Sequence, residues 1–228
     1  MTQLTEEQLA ALKAIDTPTI CNAIETFEVR GRCEGYTGVD IRCLTPDLPP
    51  MLGYAVTVTV DTMTPDVPRP QEGFSAWVRA MESAPNKPLV IVFKDVGPNP
   101  RKSAHMGEMM ATLASKFQAV GLLTDGGVRD LAEVHALGFQ YFALGVVASH
   151  GNARLLEVNV PVTIDGMEIK PGDLIHGDLN GVTVIPDSIA DKVAAEAKRI
   201  RDGELAMLDY MNGPDFKADG YLQRRFKH

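Results

Sequence analysis

Residues 107–133 read GEMMATLASKFQAVGLLTDGGVRDLAE, and this stretch decides the fold class. Its first half has the i, i+3, i+4, i+7 spacing of a helix that packs one face on a core, carried by Met110, Leu113, Ala114 and Phe117. Gly121 is predicted to end that helix, residues 122–124 to form a short buried strand, and residues 125–127 to form a turn. A second helix is predicted to open near Val128. Helix, strand, turn and helix in this order indicate a βαβ-type unit of an α/β protein.

The polar residues of this stretch lie where open α/β sheets bind ligands, just beyond a strand end. Arg129 offers a planar fork that can bind a carboxylate through two hydrogen bonds. Glu108 and Asp130 supply hard oxygen ligands of the kind that Mg²⁺ accepts. A helix N-terminus that opens on glycine lets an anion approach closely, so four backbone amides are predicted to bind substrate: those of Gly107, Glu108, Met109 and Met110. Together these groups suit a small oxo acid.

The spacing of these residues resembles that of the metal-dependent 4-hydroxy-4-methyl-2-oxoglutarate aldolases, which belong to the superfamily of the regulator of ribonuclease activity A. Twenty residues separate Glu108 from the Arg129-Asp130 pair, and two more precede Glu133. The resemblance continues through three further stretches: GVVASHG (145–151), NVPVTIDGMEIKPGDLIHGDLNGVTVIP (159–186) and RDGELAMLDY (201–210).

This resemblance implies an α/β protein with the swivelling β/β/α fold, forming a single domain over residues 1–228. It also implies a lyase that uses Mg²⁺ or Mn²⁺ to cleave a carbon–carbon bond in a short 2-oxo acid. The product would be pyruvate, as in an aldolase or an oxaloacetate decarboxylase. The resemblance further implies a homo-oligomer, a trimer or a hexamer, in which the C-terminal helix and tail pack on a neighbouring subunit.

The resemblance also assigns roles to individual residues. Arg129, Glu108 and Glu204 are expected to be catalytic, with Arg129 and the amides of residues 107–110 binding the substrate. Asp130 and Glu108 are expected to hold the metal. In the aldolases an acidic residue from the partner subunit completes the metal site, and Glu204 is the best match for it in this chain. Glu133 is expected to orient Arg129, and Arg154 is similar in position to a basic residue that the aldolases use.

Composition excludes several other functional classes. The 228 residues carry a net charge of −8 with a pI near 5.1, which argues against nucleic acid as a partner. No apolar run approaches 18 residues, so no membrane partner is expected, and the acidic, amphipathic N-terminus is unlike a targeting signal. We therefore expect a cytoplasmic protein. No glycine-rich nucleotide motif occurs, and the three cysteines are expected to be free thiols.

Elsewhere the sequence predicts regular elements from capping and periodicity. Helices are predicted from Thr5, which opens a capping box, after Thr17-Pro18, and over residues 74–81. Residues 89–93 are predicted to form a central strand buried on both faces. Half-buried strands are predicted over 39–44 and 54–60, and short strands over 141–144, 146–148, 155–160, 162–164, 173–175 and 182–185. A long helix capped by Asp187-Ser188 is predicted to break or kink at Gly203.

Several alternatives remain open at this point. The Pro-rich segment 62–73 is either a mobile loop tip or a lid over the site. A basic segment is either solvated or within reach of an anionic ligand, and its residues are Lys94, Arg101, Lys102 and His105. For function, the alternative is a non-catalytic regulator that binds a ribonuclease, a branch that lacks the acidic residue at the position of Glu108. A related lyase or hydratase acting on another oxo acid is the third possibility.

Overall fold

The computed structural model describes residues 3–226 as a mixed α/β protein. Its α-helices are α1 (Glu6–Lys13), α2 (Thr17–Thr26), α3 (Gln71–Ser83), α4 (Glu108–Lys116), α5 (Leu131–Ala136), α6 (Ala190–Asn212) and α7 (Ala218–Arg225). Its strands are β1 (Arg42–Cys43), β2 (Met51–Asp61), β3 (Leu89–Asp95), β4 (Ala119–Thr124), β5 (Gly127–Val128), β6 (Gln140–Ala143), β7 (Gly145–Val146), β8 (Arg154–Val158), β9 (Val162–Ile164), β10 (Met167–Ile169), β11 (Leu174–Asp178) and β12 (Gly181–Ile185). Residues 1, 2, 227 and 228 lie outside the described part, including the last two residues of the predicted tail.

The sheet is built around β2, whose eleven residues are all buried. The main sheet has the order β1-β6-β4-β3-β2-β11-β12, and the run β6-β4-β3-β2 is parallel. On its other edge β2 has two antiparallel partners: β11 pairs with residues 51–54 and β8 pairs with residues 58–61. This double pairing gives the sheet its curved, nearly closed shape. The prediction of half-buried strands is therefore wrong for β2, which lies in the middle of the sheet.

The sheet separates two apolar layers because successive strand residues point to opposite faces. In β3, Ile91 and Phe93 pack in the layer that the helices cover, whereas Val90 and Val92 pack in the other. The helix-side layer receives the largest buried side chain, Trp77 of α3. The opposite layer is closed by the β9–β10 hairpin. The prediction of a central strand buried on both faces over residues 89–93 is confirmed.

The N-terminal helices begin where capping chemistry predicts. The Thr5 side chain accepts a hydrogen bond from the Gln8 amide, and the Gln8 side chain accepts one from the Thr5 amide, which completes the predicted capping box. Helix α2 has Asp16 as its N-cap, with Pro18 in its first turn. Both helices pack on the helix-side layer and on α6.

Two boundaries predicted around the opening stretch are wrong. Helix α4 ends at Lys116, and Gln118, with φ of 64°, turns the chain, so Gly121 lies inside β4 instead of ending the helix. Val128 belongs to the short strand β5, which pairs with β7, and α5 opens three residues later at Leu131. In both cases a sheet contact outweighs the local turn signal.

The long C-terminal helix also differs from its prediction. Its N-cap is Ile189, just beyond the predicted Asp187-Ser188 pair, and it continues unbroken through Gly203. Its second half leaves the core, and several apolar side chains there and in the α7 region are exposed: Leu205, Leu208, Met211, Phe216 and Leu222. The packing of this region on a neighbouring subunit stays a prediction.

Two further predictions concern cysteines and membranes. Cys21, Cys33 and Cys43 are free thiols, as predicted. None of the helices formed by the described residues combines the length and apolarity that a bilayer crossing requires.

Two glycines in helices differ in the space around them, and this difference gives a stability test. A Cβ on Gly73 of α3 would lie 2.7 Å from the carbonyl carbon of Leu155, whereas a Cβ on Gly203 of α6 would meet nothing within 4 Å. Gly73→Ala should lower the free energy of unfolding by about 1–3 kcal/mol through overpacking. Gly203→Ala should raise it by roughly 0.5–1 kcal/mol, because alanine is the better helix former. Urea titrations would measure both, and equal effects would contradict the close packing of α3 on β8.

Candidate functional site

The parallel strands bring charged side chains to one edge of the sheet. Strands β2 and β3 end at Asp61 and Asp95, and Asp125 follows the end of β4. The register pairs Val60 with Asp95 and places the end of β4 beside them. Since parallel strands end at the same edge, these residues and the loops after them form one surface.

An open cleft of about 740 Å³ lies at this edge. It is lined by Arg69, Ala104, His105, Met106, Gly107, Glu108, Met109, Met110, Arg129, Asp130, His150 and Ala153. Six of the residues predicted from the sequence to form the site are in this set: Gly107, Glu108, Met109, Met110, Arg129 and Asp130. The fold therefore gathers the predicted residues of segments 107–110 and 129–130 at a single site.

Gly107 is required at the head of α4 by close packing. It is the N-cap of α4, with an extended backbone that any residue could adopt. A Cβ at this position, however, would overlap Asp130 Oδ2 and lie 2.9 Å from Arg129 Nε. The missing side chain of Gly107 is therefore what allows Arg129 and Asp130 to approach the end of the helix.

Asp130 is held in an unusual backbone conformation. Its φ of 59° and ψ of 45° lie in the left-handed region, which aspartate tolerates better than most residues. Its carboxylate does not cap its own helix, α5. Instead Oδ2 accepts a hydrogen bond from the Glu108 amide at 2.9 Å and lies 3.6 Å from Arg129 Nε. Asp130 thus links the N-terminus of α4 to the arginine beside it.

This contact corrects part of the substrate-binding prediction. The Glu108 amide is used by Asp130 and is not available to a substrate carboxylate. The amides of Met109 and Met110 have no hydrogen-bond partner among the described residues. The amides at this helix end that can still bind an anion therefore include those of Met109 and Met110.

A buried polar network lies behind the cleft. The Thr124 hydroxyl lies 2.8 Å from the Phe93 carbonyl and 2.6 Å from Nδ1 of His105. Nε2 of His105 lies 2.9 Å from Asp95 Oδ2, and a carboxylate can only accept. Nε2 of His105 therefore donates to Asp95, and the ring joins the ends of β3 and β4. The Thr62 hydroxyl also donates to Asp95, at 2.6 Å.

The same contacts determine the charge of Asp95. Burial raises the pKa of this carboxyl, but hydrogen bonds from His105, Thr62 and the Gly97 amide outweigh burial. The pKa of Asp95 is therefore lower than its ordinary value, and the group is a carboxylate at neutral pH.

Other candidate residues lie outside the cleft lining. Glu204 lies on α6 and pairs with Arg201 at 3.2 Å, so one chain does not bring it to the site. Lys94 pairs with Asp125, and Arg154 pairs with Asp61. Glu133 is exposed, and no ion pair joins it to Arg129 among the described residues, so the expected orienting contact is absent there.

The cleft also contains residues whose place the sequence left open. Arg69 comes from the Pro-rich loop, His150 from the loop after β7, and His105 from the basic segment. Arg69 follows β2 along the chain, so knowing that β2 is parallel to β3 and β4 would have placed its loop at this edge. Local patterns alone carry no such signal, because the pairing partners are distant in the chain.

The oxygen donors in the cleft suit a magnesium-type ion. Asp130 and Glu108 both line the cleft. No group of three or more His, Cys, Asp or Glu side chains that could hold a metal occurs between residues 3 and 226. Mg²⁺ usually binds one or two protein carboxylates and takes its remaining ligands from water and substrate. This donor set therefore fits Mg²⁺ or Mn²⁺ better than zinc, which usually takes three or four protein ligands.

Comparison with known proteins identifies a family. A family model described as RraA-like, Aldolase/RraA, matches residues 17–184, a segment that contains every residue of the cleft lining. An uncharacterized protein of Methanocaldococcus jannaschii is 30% identical over 187 residues, covering 80% of this chain and 84% of that protein.

Two relatives carry an activity in their names. A Halalkalibacterium halodurans protein, provisionally named a 4-hydroxy-4-methyl-2-oxoglutarate aldolase, is 36% identical over 94 residues. That match covers 41% of this chain and 45% of the relative. A provisionally named aldolase from Ectopseudomonas mendocina is 30% identical over 93 residues, covering 39% of this chain and 56% of that protein. The matches to these two relatives thus span about half of the relatives' length.

Solved structures share the whole fold. An uncharacterized protein from Pseudomonas syringae has a TM-score of 0.75 at 21% identity, covering 100% of this chain and 96% of that one. Streptomyces coelicolor RraAS2, described as an unusual member of the RNase ES inhibitor RraA protein family, has a TM-score of 0.70 at 20% identity. The match covers 90% of this chain and 98% of the Streptomyces protein. These similarities confirm the predicted fold class.

The buried pair behind the cleft predicts a specific pH dependence of stability. Folding lowers the pKa of Asp95 below the value of about 3.9 that it has in the unfolded chain. Its contribution to the free energy of unfolding is therefore complete above that unfolded pKa and is lost as the pH falls through the lower folded pKa. Asp95→Asn should cost about 1–3 kcal/mol at pH 7, since it leaves a buried His105 donor poorly paired. The difference from wild type should shrink below pH 4.

Denaturant titrations between pH 3 and pH 7 would measure this effect. Asp47→Asn, at an exposed position, is the matched control and should leave the free energy of unfolding nearly unchanged at both ends of the range. If the free energies of unfolding of wild type and Asp95→Asn differ by the same amount at every pH down to 3, the lowered pKa of Asp95 would be contradicted.

Proposed function

The chain belongs to the RraA-like family, and on that premise we propose that it is a divalent-metal-dependent lyase that releases pyruvate from a short 2-oxo acid. The observation that carries this proposal is the meeting of Arg129, Asp130 and Glu108 at the N-terminus of α4. A guanidinium, two carboxylates and free helix amides in one cleft suit the binding of a carboxylate beside a hard cation. The names of the two relatives support the same reaction class.

The chain's own groups bind one end of the substrate. The free amides of Met109 and Met110 and the guanidinium of Arg129 receive the carboxylate next to the 2-oxo group. Arg129 is half-buried and its Nε faces Asp130, so its orientation is set before substrate arrives. Asp130 and Glu108 would hold Mg²⁺ or Mn²⁺, which when bound supplies Lewis-acid polarisation of the 2-oxo group.

The cleavage step needs a base and a place for negative charge. In a 4-hydroxy-2-oxo acid, a base removes the proton of the 4-hydroxyl and the C3–C4 bond breaks. Its electron pair moves to C3, which gives the enolate of pyruvate, while C4 becomes a carbonyl carbon. Arg129 stabilises the charge on the enolate oxygen, and a proton delivered to C3 completes pyruvate. In oxaloacetate C4 is already a carboxylate, so no base is needed: the C3–C4 bond breaks, CO₂ leaves, and the electron pair that stays on C3 gives the same enolate.

Glu108 can serve this step in two ways. Its side chain is exposed in the cleft and makes no ion pair or hydrogen bond within the described part of the chain. It either shares the cation with Asp130 or accepts the proton of the 4-hydroxyl. Glu108→Gln separates the two roles, because only the first predicts weaker binding of Mg²⁺ by calorimetry.

The cleft lining also bears on the alternative functions. A regulator that binds a ribonuclease differs from the lyase in lacking an acidic residue at the position of Glu108. In this chain Glu108 is present and lies beside Arg129 and Asp130, which favours the lyase. 4-Hydroxy-4-methyl-2-oxoglutarate and oxaloacetate are the first substrates to test, and other 2-oxo acids come next.

The proposal predicts pyruvate release that depends on a divalent cation. Purified protein with Mg²⁺ or Mn²⁺ should release pyruvate from at least one of these two acids, measured by a coupled lactate dehydrogenase assay. Excess EDTA should abolish release, and restored Mg²⁺ should bring it back, because carboxylates bind a hard cation reversibly. Full turnover in EDTA by protein that contains no metal would overturn the metal requirement.

Two arginine variants serve as controls in this assay. Arg129→Lys should lose about 100- to 1000-fold in kcat, since lysine keeps the charge but loses the fork that faces the oxyanion. Arg79→Lys, on the exposed face of α3, should behave as wild type. Equal activity of all three proteins would place Arg129 outside the reaction, and no pyruvate from either acid would overturn the lyase.

We also propose that Glu204 acts across a subunit interface in a trimer or hexamer. Glu204 lies on the part of α6 that projects beyond the core, next to exposed apolar side chains. Glu204→Gln and Asp130→Asn should each abolish pyruvate release. Mixed oligomers of the two variants should recover part of it, because some sites then contain neither change. Labelled chains would verify subunit exchange, and verified exchange without recovered activity would rule out the shared site.

A further inference from the structure

Two arginines line the cleft, and they differ in how their charge is matched. Arg129 lies beside the carboxylate of Asp130. Arg69 has no carboxylate partner among residues 3–226, and its hydrogen bonds go to a side-chain amide and a backbone carbonyl. Its Nη1 group makes no hydrogen bond within the same residues. Arg69 therefore brings an unmatched positive charge to the cleft.

Arg69 is nevertheless held in place. Its Nε donates to Asn152 Oδ1 and its Nη2 donates to the Gly151 carbonyl, both at 2.9 Å. Asn152 in turn donates through its side-chain amide to the carbonyls of Thr64 and Val67, at 3.0 and 2.9 Å. These contacts join loop 62–70 to loop 149–153 and fix the guanidinium at the cleft before a ligand binds.

The joining of the two loops argues against a free tip in the Pro-rich segment. Gly151 has φ of 53°, and a Cβ there would overlap the Thr62 carbonyl, so the loops are in close contact. The backbone N–H of Asn152 also donates to the Thr62 carbonyl at 2.8 Å. Loop 62–70 is thus anchored to a wall of the cleft and is not a free tip.

Two other cations near this edge are already engaged, and Arg101 and Lys102 do not line the cleft. Arg154 is largely buried, forms an ion pair with Asp61 and does not line the cleft. Lys94 is paired with Asp125. His150 lines the cleft, and its Nδ1 donates to the Gly151 carbonyl at 2.8 Å, which leaves Nε2 for a ligand. Besides Arg129, the arginine in the cleft lining is therefore Arg69, which has no carboxylate partner among residues 3–226.

We infer that Arg69 binds the second carboxylate of the substrate, so that the site selects 2-oxo dicarboxylates over 2-oxo monocarboxylates. This inference rests on the proposed function, in which Arg129 and the α4 amides bind the first carboxylate. Charge supports it, because within one chain Glu108 and Asp130 balance Arg129 and Arg69. An added divalent cation then leaves the site positive, and it stays positive when the partner's Glu204 is included.

The test compares two ligands of equal chain length that lack the 4-hydroxyl required for cleavage. 2-Oxoglutarate has a carboxylate where 2-oxopentanoate has a methyl group. In calorimetry with Mg²⁺ present, wild type should bind 2-oxoglutarate about 10- to 100-fold more tightly, as expected for a charge-assisted hydrogen bond. Arg69→Gln should remove this preference and leave the affinity for 2-oxopentanoate unchanged. Arg69→Lys should retain part of it, because the charge remains without the fork.

Arg79→Gln, at an exposed arginine of α3, is the matched control and should keep the full preference. Melting temperatures would confirm that each variant is folded. A preference that survives Arg69→Gln would overturn the inference while leaving the lyase intact. Failure of wild type to bind either ligand would instead count against the oxo-acid site itself, and the inference would fall with it.

Discussion

The site depends on one close approach, in which the Asp130 carboxylate reaches across Gly107 to the Glu108 amide. Without a side chain at Gly107, two loops that are distant in the chain meet at the end of α4. The left-handed backbone of Asp130 turns its carboxylate toward α4 instead of its own helix. Such a conformation persists only where the surroundings hold it, and here the amide of Glu108 and the guanidinium of Arg129 do so.

Paired charges stiffen the strand ends beneath this contact. Asp61 pairs with Arg154, Asp95 with His105, and Asp125 with Lys94. Each pair joins the end of a strand to a neighbouring segment, so the loops that form the cleft are connected below as well as at the rim. Partly buried pairs of this kind are costly to break, because removing one partner leaves the other charge desolvated. The framework behind the site is therefore rigid before any ligand arrives.

Local patterns in the sequence predicted much of this arrangement. The spacing of Glu108, Arg129 and Asp130 identified three residues that share the cleft, and capping chemistry located the start of α1. The errors arose where tertiary contacts override local signals. Gly121 is a helix terminator by propensity, but it lies in β4, where its lack of a side chain makes room for Met51.

Non-local pairing explains what the sequence could not predict. Arg69 joins the cleft because β2 is parallel to β3 and because Asn152 tethers its loop, and both contacts span long stretches of chain. The amide of Glu108 was expected to bind substrate because no local pattern reveals that a carboxylate 22 residues away already accepts from it. Contacts of this kind depend on the completed fold.

The division of the apolar interior by the sheet has a further consequence for how substitutions combine. Met81 packs in the helix-side layer, whereas Ile164 of the β9–β10 hairpin packs in the opposite layer, and the backbone of the sheet separates them. Residues without shared neighbours perturb stability independently. Truncations at these two positions should therefore sum in a double-mutant cycle with almost no coupling energy, whereas two truncations within one layer should couple. The molecule thus has two mutationally independent compartments, and variation could accumulate in one without altering the tolerance of the other.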